Sequence, residues 1–350
     1  MEINNITQSI TSAVVAFIIG IAITFPISNF LYSKKLWKKR SVKTTMDGQS
    51  ATITQKLHND EERKTPRMGG TVVWGSVILT SILLMLLPGT SPVGSLSFLT
   101  RSQTWIPFAV LIGMSLVGLV DDYLVCQEQH KAQGLSLRFR IGIVAISGLA
   151  IALWFYYKID IHTIHIPFNG PYEIGSLFFV LFFIFVITGT YAGGVIDGID
   201  GLAGGVFAII FGAYSAIAFS IGMGDLAAFC LAITGALCAF LWFNIPPARF
   251  FLSDTGTMGL TTVLATIALI TDTVLLLPII ALPLVISVLS NILQILSKKI
   301  RNKKVFLVAP LHNHFQAIGW PPYKVTMRYW IITTMSALIG VILVLLDKTY

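Results

Sequence analysis

Three short segments carry carboxylates where the surrounding chain is almost pure hydrocarbon. Asp121 and Asp122 sit in SLVGLVDDYLV, Asp197 and Asp200 in GGVIDGIDGLAGG, and Asp254 in FFLSDTGTMG. A fourth segment, LHNH, sets His312 and His314 two residues apart. Ionisable groups at the edge of apolar runs are costly and mark function when several share one face. Carboxylates without a thiolate cluster suit a hard, oxygen-seeking cation such as Mg²⁺. Mg²⁺ in turn points to phosphate chemistry, because it bridges and neutralises diphosphate oxygens. The bland alternative is capping, in which an Asp before a helix accepts orphan N–H groups; Asp254, followed by Thr-Gly-Thr, fits that pattern. Three acidic motifs and a histidine pair on one face favour a site over three unrelated caps.

The elements that must carry these motifs are membrane helices. The chain is 55% hydrophobic and 11% charged, with a mean hydropathy of +0.80, where a soluble domain carries about 25% charged residues. Apolar segments recur at about 10–33, 69–87, 105–120, 141–157, 175–191, 202–221, 225–243, 257–271, 274–296 and 327–346. That pattern predicts an all-α polytopic membrane protein of about ten spans, one integral membrane domain over residues 1–350. Met1 to Gln8 lacks a basic region, so the first apolar run reads as a retained span. Nearly all of the 24 Lys and Arg residues then fall in loops on one side; the exceptions are Arg101, Lys158, Arg328 and Lys348. This asymmetry makes the rich side cytoplasmic and both termini external. Every acidic motif and the histidine pair land on the cytoplasmic side.

The same distribution explains the net charge of +8 without nucleic acid. The basic KKLWKKR, Lys34 to Arg40, anchors the first span, with a lesser option of holding anionic lipid. KIDIHTIHIPFNGPYEIG reads as a short external hairpin around Asn169-Gly170, with His162 and His165 on its surface. Pro278 and Pro283 are expected to bend or break the ninth span. Cys126, Cys230 and Cys238 have no metal or disulfide spacing. The absence of a Walker A sequence argues against an ATP-driven pump. A transporter or channel lined by acids would place some of them at mid-bilayer, and none of the motif acids lies there.

Read in order, KTPRMGG (64–70), GLVDDYL (118–124), QGLS (133–136), DGIDGLAGG (197–205), FNIPPARFFLSDTGTMGL (243–260) and APLHNHFQAIGWPPYKVTMRYWII (309–332) resemble the polyprenyl-phosphate N-acetylhexosamine-1-phosphate transferases. The last block is closest to their phospho-N-acetylmuramoyl-pentapeptide branch. The resemblance implies transfer from UDP-MurNAc-pentapeptide to undecaprenyl phosphate, giving lipid I and UMP with Mg²⁺, in a bacterial inner membrane. It implies that Asp121 and Asp122 handle the lipid phosphate or orient the metal, with one of them a candidate general base, and that Asp254 leads the metal ligands with Asp197 beside it. Asp197 and Asp200 would order the nucleotide and diphosphate, with Lys64 and Arg67 as nearby cations. Asn244 and Phe251 would hold the uridine end, and His312 and His314 the diphosphate or sugar-peptide. A homodimer is compatible with it.

The chain also departs from the family pattern. Glu62 and Val125 stand where the family has Lys, and Arg67 where it has Thr. Tyr191 and Gly194 replace two asparagines, Ser253 replaces a Gly, and Asn313 the middle His of a triplet. Arg67, Arg138 and Arg249 are candidates to restore the lost positive charge. These departures keep two alternatives open: a related transferase using another UDP-N-acetylhexosamine, and a catalytically silent membrane relative.

Overall fold

In a computed structural model, the structure describes residues 2–37, 64–87, 96–100, 103–127, 134–159 and 163–347. Without water to satisfy backbone groups, apolar chain in a bilayer folds into helices, and a helix occupies each expected segment. They are α1 (Glu2–Ser33), α2 (Gly70–Leu86), α3 (Trp105–Cys126), α4 (Leu137–Trp154), α5 (Leu177–Ile196), α6 (Leu202–Ser220), α7 (Gly224–Asn244), α8 (Ser253–Ile270), α9 (Leu277–Ile280), α10 (Leu282–Arg301), α11 (Leu311–Ala317) and α12 (Pro322–Leu346). Among the described residues, seven stretches, in α1, α3, α4, α6, α7, α10 and α12, are long and apolar enough to cross a membrane; α2 is apolar but shorter.

The expected break in the ninth apolar run is present. Pro278 and Pro283 each fall in the first turn of a helix, and Ala281 between them leaves helical geometry (φ −103°, ψ 33°). Proline is tolerated there because first-turn N–H groups have no intrahelical acceptor, whereas further along it would clash with the preceding turn. Helix α10 ends at Asn302 in left-handed geometry, with Lys298, Lys299 and Arg301 in its last turn. Those cations complement the carbonyl end of the helix dipole.

Helix α8 is the axis of the fold, in contact with α2, α3 and α5. Residues Thr255 to Leu269 are all buried, although five of them are threonines. Thr261, Thr262 and Thr266 donate to the carbonyls of Thr257, Met258 and Thr262 at 2.7–2.8 Å, so their hydroxyls are satisfied inside the helix. Two glycines let neighbours reach its backbone. A Cβ on Gly118 would lie 2.0 Å from the Asp254 carbonyl oxygen, and one on Gly70 2.2 Å from the Gly256 nitrogen.

The expected hairpin forms as β1 (Thr163–Ile166) and β2 (Gly170–Glu173), antiparallel, from Thr163 opposite Glu173 to Ile166 opposite Gly170. His165 corrects the expectation of a surface residue. It is buried, with Nε2 2.9 Å from Asp347 Oδ2, and its backbone N–H donates to Asp272 Oδ1 at 3.1 Å. Strand alternation turns this position inward, and a carboxylate at the end of α12 meets the imidazole. Phe168 N–H donates to the same Asp347 oxygen at 2.7 Å. His162 and Lys38 to Arg40 lie outside the described residues.

Candidate active site

The site grows from the N-terminus of α8. The first N–H groups of a helix have no acceptor within it and carry partial positive charge. Here two carboxylates from elsewhere in the chain supply acceptors. Asp197, just past the end of α5, accepts from Ser253 N–H at 2.7 Å. Asp122 Oδ2 accepts from Thr255 N–H at 2.8 Å and Thr255 Oγ1 at 2.6 Å. Asp254 is itself inside the first turn, with Leu252 at the cap position, so the capping geometry considered for it from sequence is supplied by its neighbours. Ser253 holds φ at +55°, a left-handed conformation that favours glycine. Its bond to Asp197 and the next turn's bonds to Asp122 keep it there.

The boundary of α3 differs from the expected span. The helix runs on through Cys126, so Asp121 and Asp122 occupy its last turns and are buried, instead of standing in a loop after residue 120. Asp121 faces Arg140, whose Nη1 lies 3.2 Å from Asp121 Oδ2 and 3.4 Å from Asp254 Oδ2. Asp121 Oδ1 accepts from Leu135 N–H at 2.7 Å. One guanidinium thus ties the two carboxylates together. Arg140 was not singled out from sequence, where Arg138, two residues earlier, stood as the compensating cation. Two positions apart on a helix point roughly 200° apart, and nothing local tells which of them faces Asp121. The remaining cation, Arg67, places Nε and Nη2 each 2.8 Å from Asp122 Oδ1. Burial opposes its charge, and Asp122, with Asp254 and Asp197, more than offsets this and moves its pKa upward.

These groups border a cavity of about 540 Å³ lined by Arg67, Asp197, Asp200, Asp254, Asn244, Phe251 and His312, among others. The 197–201 turn forms its floor and is fixed from three directions. Asp200 Oδ2 accepts from Ala248 N–H at 3.0 Å. Asn244 accepts from Gly201 N–H and donates to the Phe250 carbonyl, both at 2.8 Å. Trp330 Nε1 donates to the Gly201 carbonyl at 3.1 Å. The Asn244 amide therefore ties the 197–201 turn to the loop that carries Phe251. Phe251 is held through its backbone, which accepts from Gly69 N–H at 2.8 Å and donates to the Pro66 carbonyl at 2.9 Å.

His312 is buried against this turn, edge-on to Tyr329 at 6.3 Å. A Cβ on Gly198 would sit 2.7 Å from its Nε2, so this approach needs a glycine. Four expected residues stand apart from the cavity lining: Asp121 and Asp122 are buried behind Arg140 and Arg67, Lys64 is exposed, and His314 accepts from Leu307 N–H at 3.3 Å. Glu62 lies outside the described residues, as does the side chain of Arg138. Burial pushes the Asp197 carboxyl up to about 6, against the Ser253 N–H and Arg67, which pull it down.

The donor set suits a hard cation. Among the described residues no three acidic, histidine or cysteine side chains close into a cage. Mg²⁺ uses one or two carboxylates and completes its shell with water and substrate phosphate, and Asp254, with its side chain 18% exposed, offers such a ligand at the cavity edge.

Comparison with known proteins points the same way. Residues 104–272 match the Glycosyl transferase family 4 model. The chain is 33% identical to the phospho-N-acetylmuramoyl-pentapeptide-transferase of Geobacillus sp. (strain WCH70) over 84% of its length and 88% of the relative's. It is 32% identical to that of Bacillus anthracis (strain A0248) over 95% and 96% of the two chains. Against the Bacillus subtilis (strain 168) protein of the same name it is 32% identical over 84% and 88%. The motif order, the gathered aspartates and this near full-length similarity agree: the chain belongs to the phospho-N-acetylmuramoyl-pentapeptide-transferase family.

Proposed function

We propose that the protein transfers phospho-MurNAc-pentapeptide from UDP-MurNAc-pentapeptide to undecaprenyl phosphate, releasing UMP and forming lipid I in peptidoglycan synthesis. The observation that carries this reading is the meeting of Asp121, Asp197 and Asp254, from three separate helices, beside a cavity large enough for a nucleotide diphosphate. A phosphate oxygen of the lipid attacks the β-phosphorus of the donor, and the bond to UMP breaks. The lipid phosphate is already an anion at neutral pH, so the protein mainly positions it and balances charge.

Asp121, on the shared guanidinium of Arg140, takes the role of orienting the lipid phosphate. Asp254 and Asp197 are the residues that would hold Mg²⁺, and a bound Mg²⁺ would supply neutralisation of the diphosphate charge. Phe251 stacks on uracil, with Asn244 shaping its loop and Asp200 the turn beneath. His312, beside Gly198, contacts the diphosphate or sugar. Positive charge concentrated in the loops of this face supports a cytoplasmic site in a bacterial inner membrane.

A second cavity, apolar and about 300 Å³, fits the isoprenoid tail. It runs between α5, α8 and the broken α9–α10 segment, lined by Phe185, Ala192, Leu264, Pro278, Leu289 and Ile292 among others. Asn291, the neighbour of Ile292, lines the polar cavity. The test is a transfer assay with purified protein, Mg²⁺, undecaprenyl phosphate and UDP-MurNAc-pentapeptide, read as UMP release. Turnover with UDP-GlcNAc alone refutes this donor. Asp254→Asn is expected to abolish turnover while leaving the protein folded, and near-normal activity would refute its metal role.

A further inference from the structure

Asp122 has no capacity left for a substrate or a metal. An ionised carboxylate offers about four acceptor positions, and here three hydrogen bonds, from Arg67 Nε to Oδ1 and from Thr255 N–H and Oγ1 to Oδ2, are joined by the ion-pair approach of Arg67 Nη2 to Oδ1 at 2.8 Å. Its side chain is 0% exposed. Any contact with a ligand would require one of these bonds to break. Arg67 is the reverse case. Its side chain is 26% exposed, it lines the polar cavity, and its Nη1 takes no acceptor among the described residues. The other charged residues lining that cavity, Asp197, Asp200 and Asp254, are carboxylates. A guanidinium is planar and presents donors along more than one edge. With the Nε edge fixed on Asp122, the other edge is pre-set for a second anion.

We propose that Arg67 and Asp122 act as one anion-positioning unit, in which Asp122 fixes the guanidinium and Arg67 holds the diphosphate of the donor nucleotide. The inference rests on the donor class proposed above and adds a division of labour to it. Asp122 is a positioning residue, and the ligand contact falls to Arg67, where the resembling family carries Thr. Bidentate guanidinium–phosphate contact is both strong and directional, which suits a chain with Glu62 and Val125 at two expected lysine positions.

The experiment compares binding of UDP and of uridine to the full-length, detergent-solubilised protein, with chelator present so that no metal bridges the phosphates. The wild type is expected to prefer UDP. Arg67→Lys keeps a charge beside Asp122 but loses the fork, and is expected to reduce the UDP-over-uridine ratio several-fold. The double variant Arg67→Met with Asp122→Asn leaves no buried charge unpaired. It is expected to reduce the ratio about tenfold or more while uridine affinity holds. Asp122→Asn alone retains the arginine yet loosens its aim, so the ratio falls there too. An unchanged ratio in the double variant overturns the diphosphate contact, and an unchanged ratio in Asp122→Asn overturns the positioning role. A wild type without preference for UDP in chelator overturns the diphosphate contact of Arg67, while the donor assignment is tested separately by UMP release in the Mg²⁺-containing transfer assay.

Discussion

Asp197 carries the clearest pH signature in the site. Its pKa of about 6 stands above the ordinary carboxylate value of 3.8, so between those values the folded protein keeps a proton that the unfolded chain has released. The contribution of this group to stability is therefore greatest at low pH and is lost as the pH rises through about 6. Asp197→Asn retains an acceptor for Ser253 N–H and removes the buried charge. In metal-free buffer it is expected to raise the thermal midpoint by a few degrees near pH 7.5, a gain that shrinks as the pH is lowered toward 4. Added Mg²⁺ is expected to stabilise the wild type more than the variant. Thermal melts across pH check both, and no gain near neutrality would mean that the ionised carboxylate is well compensated. Sequence singled out Asp197 as a carboxylate at the edge of an apolar run and through the family resemblance, but not what it touches, since Ser253 lies in another segment. The same holds for Asp122, whose partners Arg67 and Thr255 are 55 and 133 residues away.

Helix contacts set the next level of constraint, and two glycines on α3 separate packing from propensity. Gly118 has no room for a Cβ, whereas Gly113 has nothing within 4 Å. Gly118→Ala is expected to drive α3 away from Asp254 and eliminate activity. Gly113→Ala is expected to be neutral or stabilising by up to about 1 kcal/mol. Activity and thermal melts of the pair distinguish the two, and a tolerated Gly118→Ala would refute the close α3–α8 contact. At the other end of α8, breaking the buried His165–Asp347 pair is expected to cost about 3–5 kcal/mol. Hydrogen exchange in β1–β2 should rise in Asp347→Ala, and unchanged protection would show that the hairpin stands without it. The helices themselves were readable from apolar length, and the break in α9–α10 from its prolines. The burial of His165 was not, because Asp347, 182 residues away, supplies the reason.

Taken whole, the molecule places its polar cavity and its apolar groove on either side of shared walls. Helix α5 turns Ala192 to the groove and Gly194 to the cavity; α10 divides Ile292 and Asn291 in the same way. That the chain is a polytopic helical protein with acids gathered on one face was legible from hydropathy, charge asymmetry and motif order. The partition of neighbouring residues between two compartments was not, since it depends on how α5, α8 and α10 rotate against one another. Under the proposed function, its kinetic meaning is that one reactant arrives by diffusion in three dimensions and the other in two. Turnover is then governed by the mole fraction of polyprenyl phosphate in the micelle or vesicle, at fixed donor, and not by the amount of that lipid per volume. Diluting the acceptor with inert amphiphile slows the reaction, while diluting whole vesicles leaves each enzyme's rate unchanged.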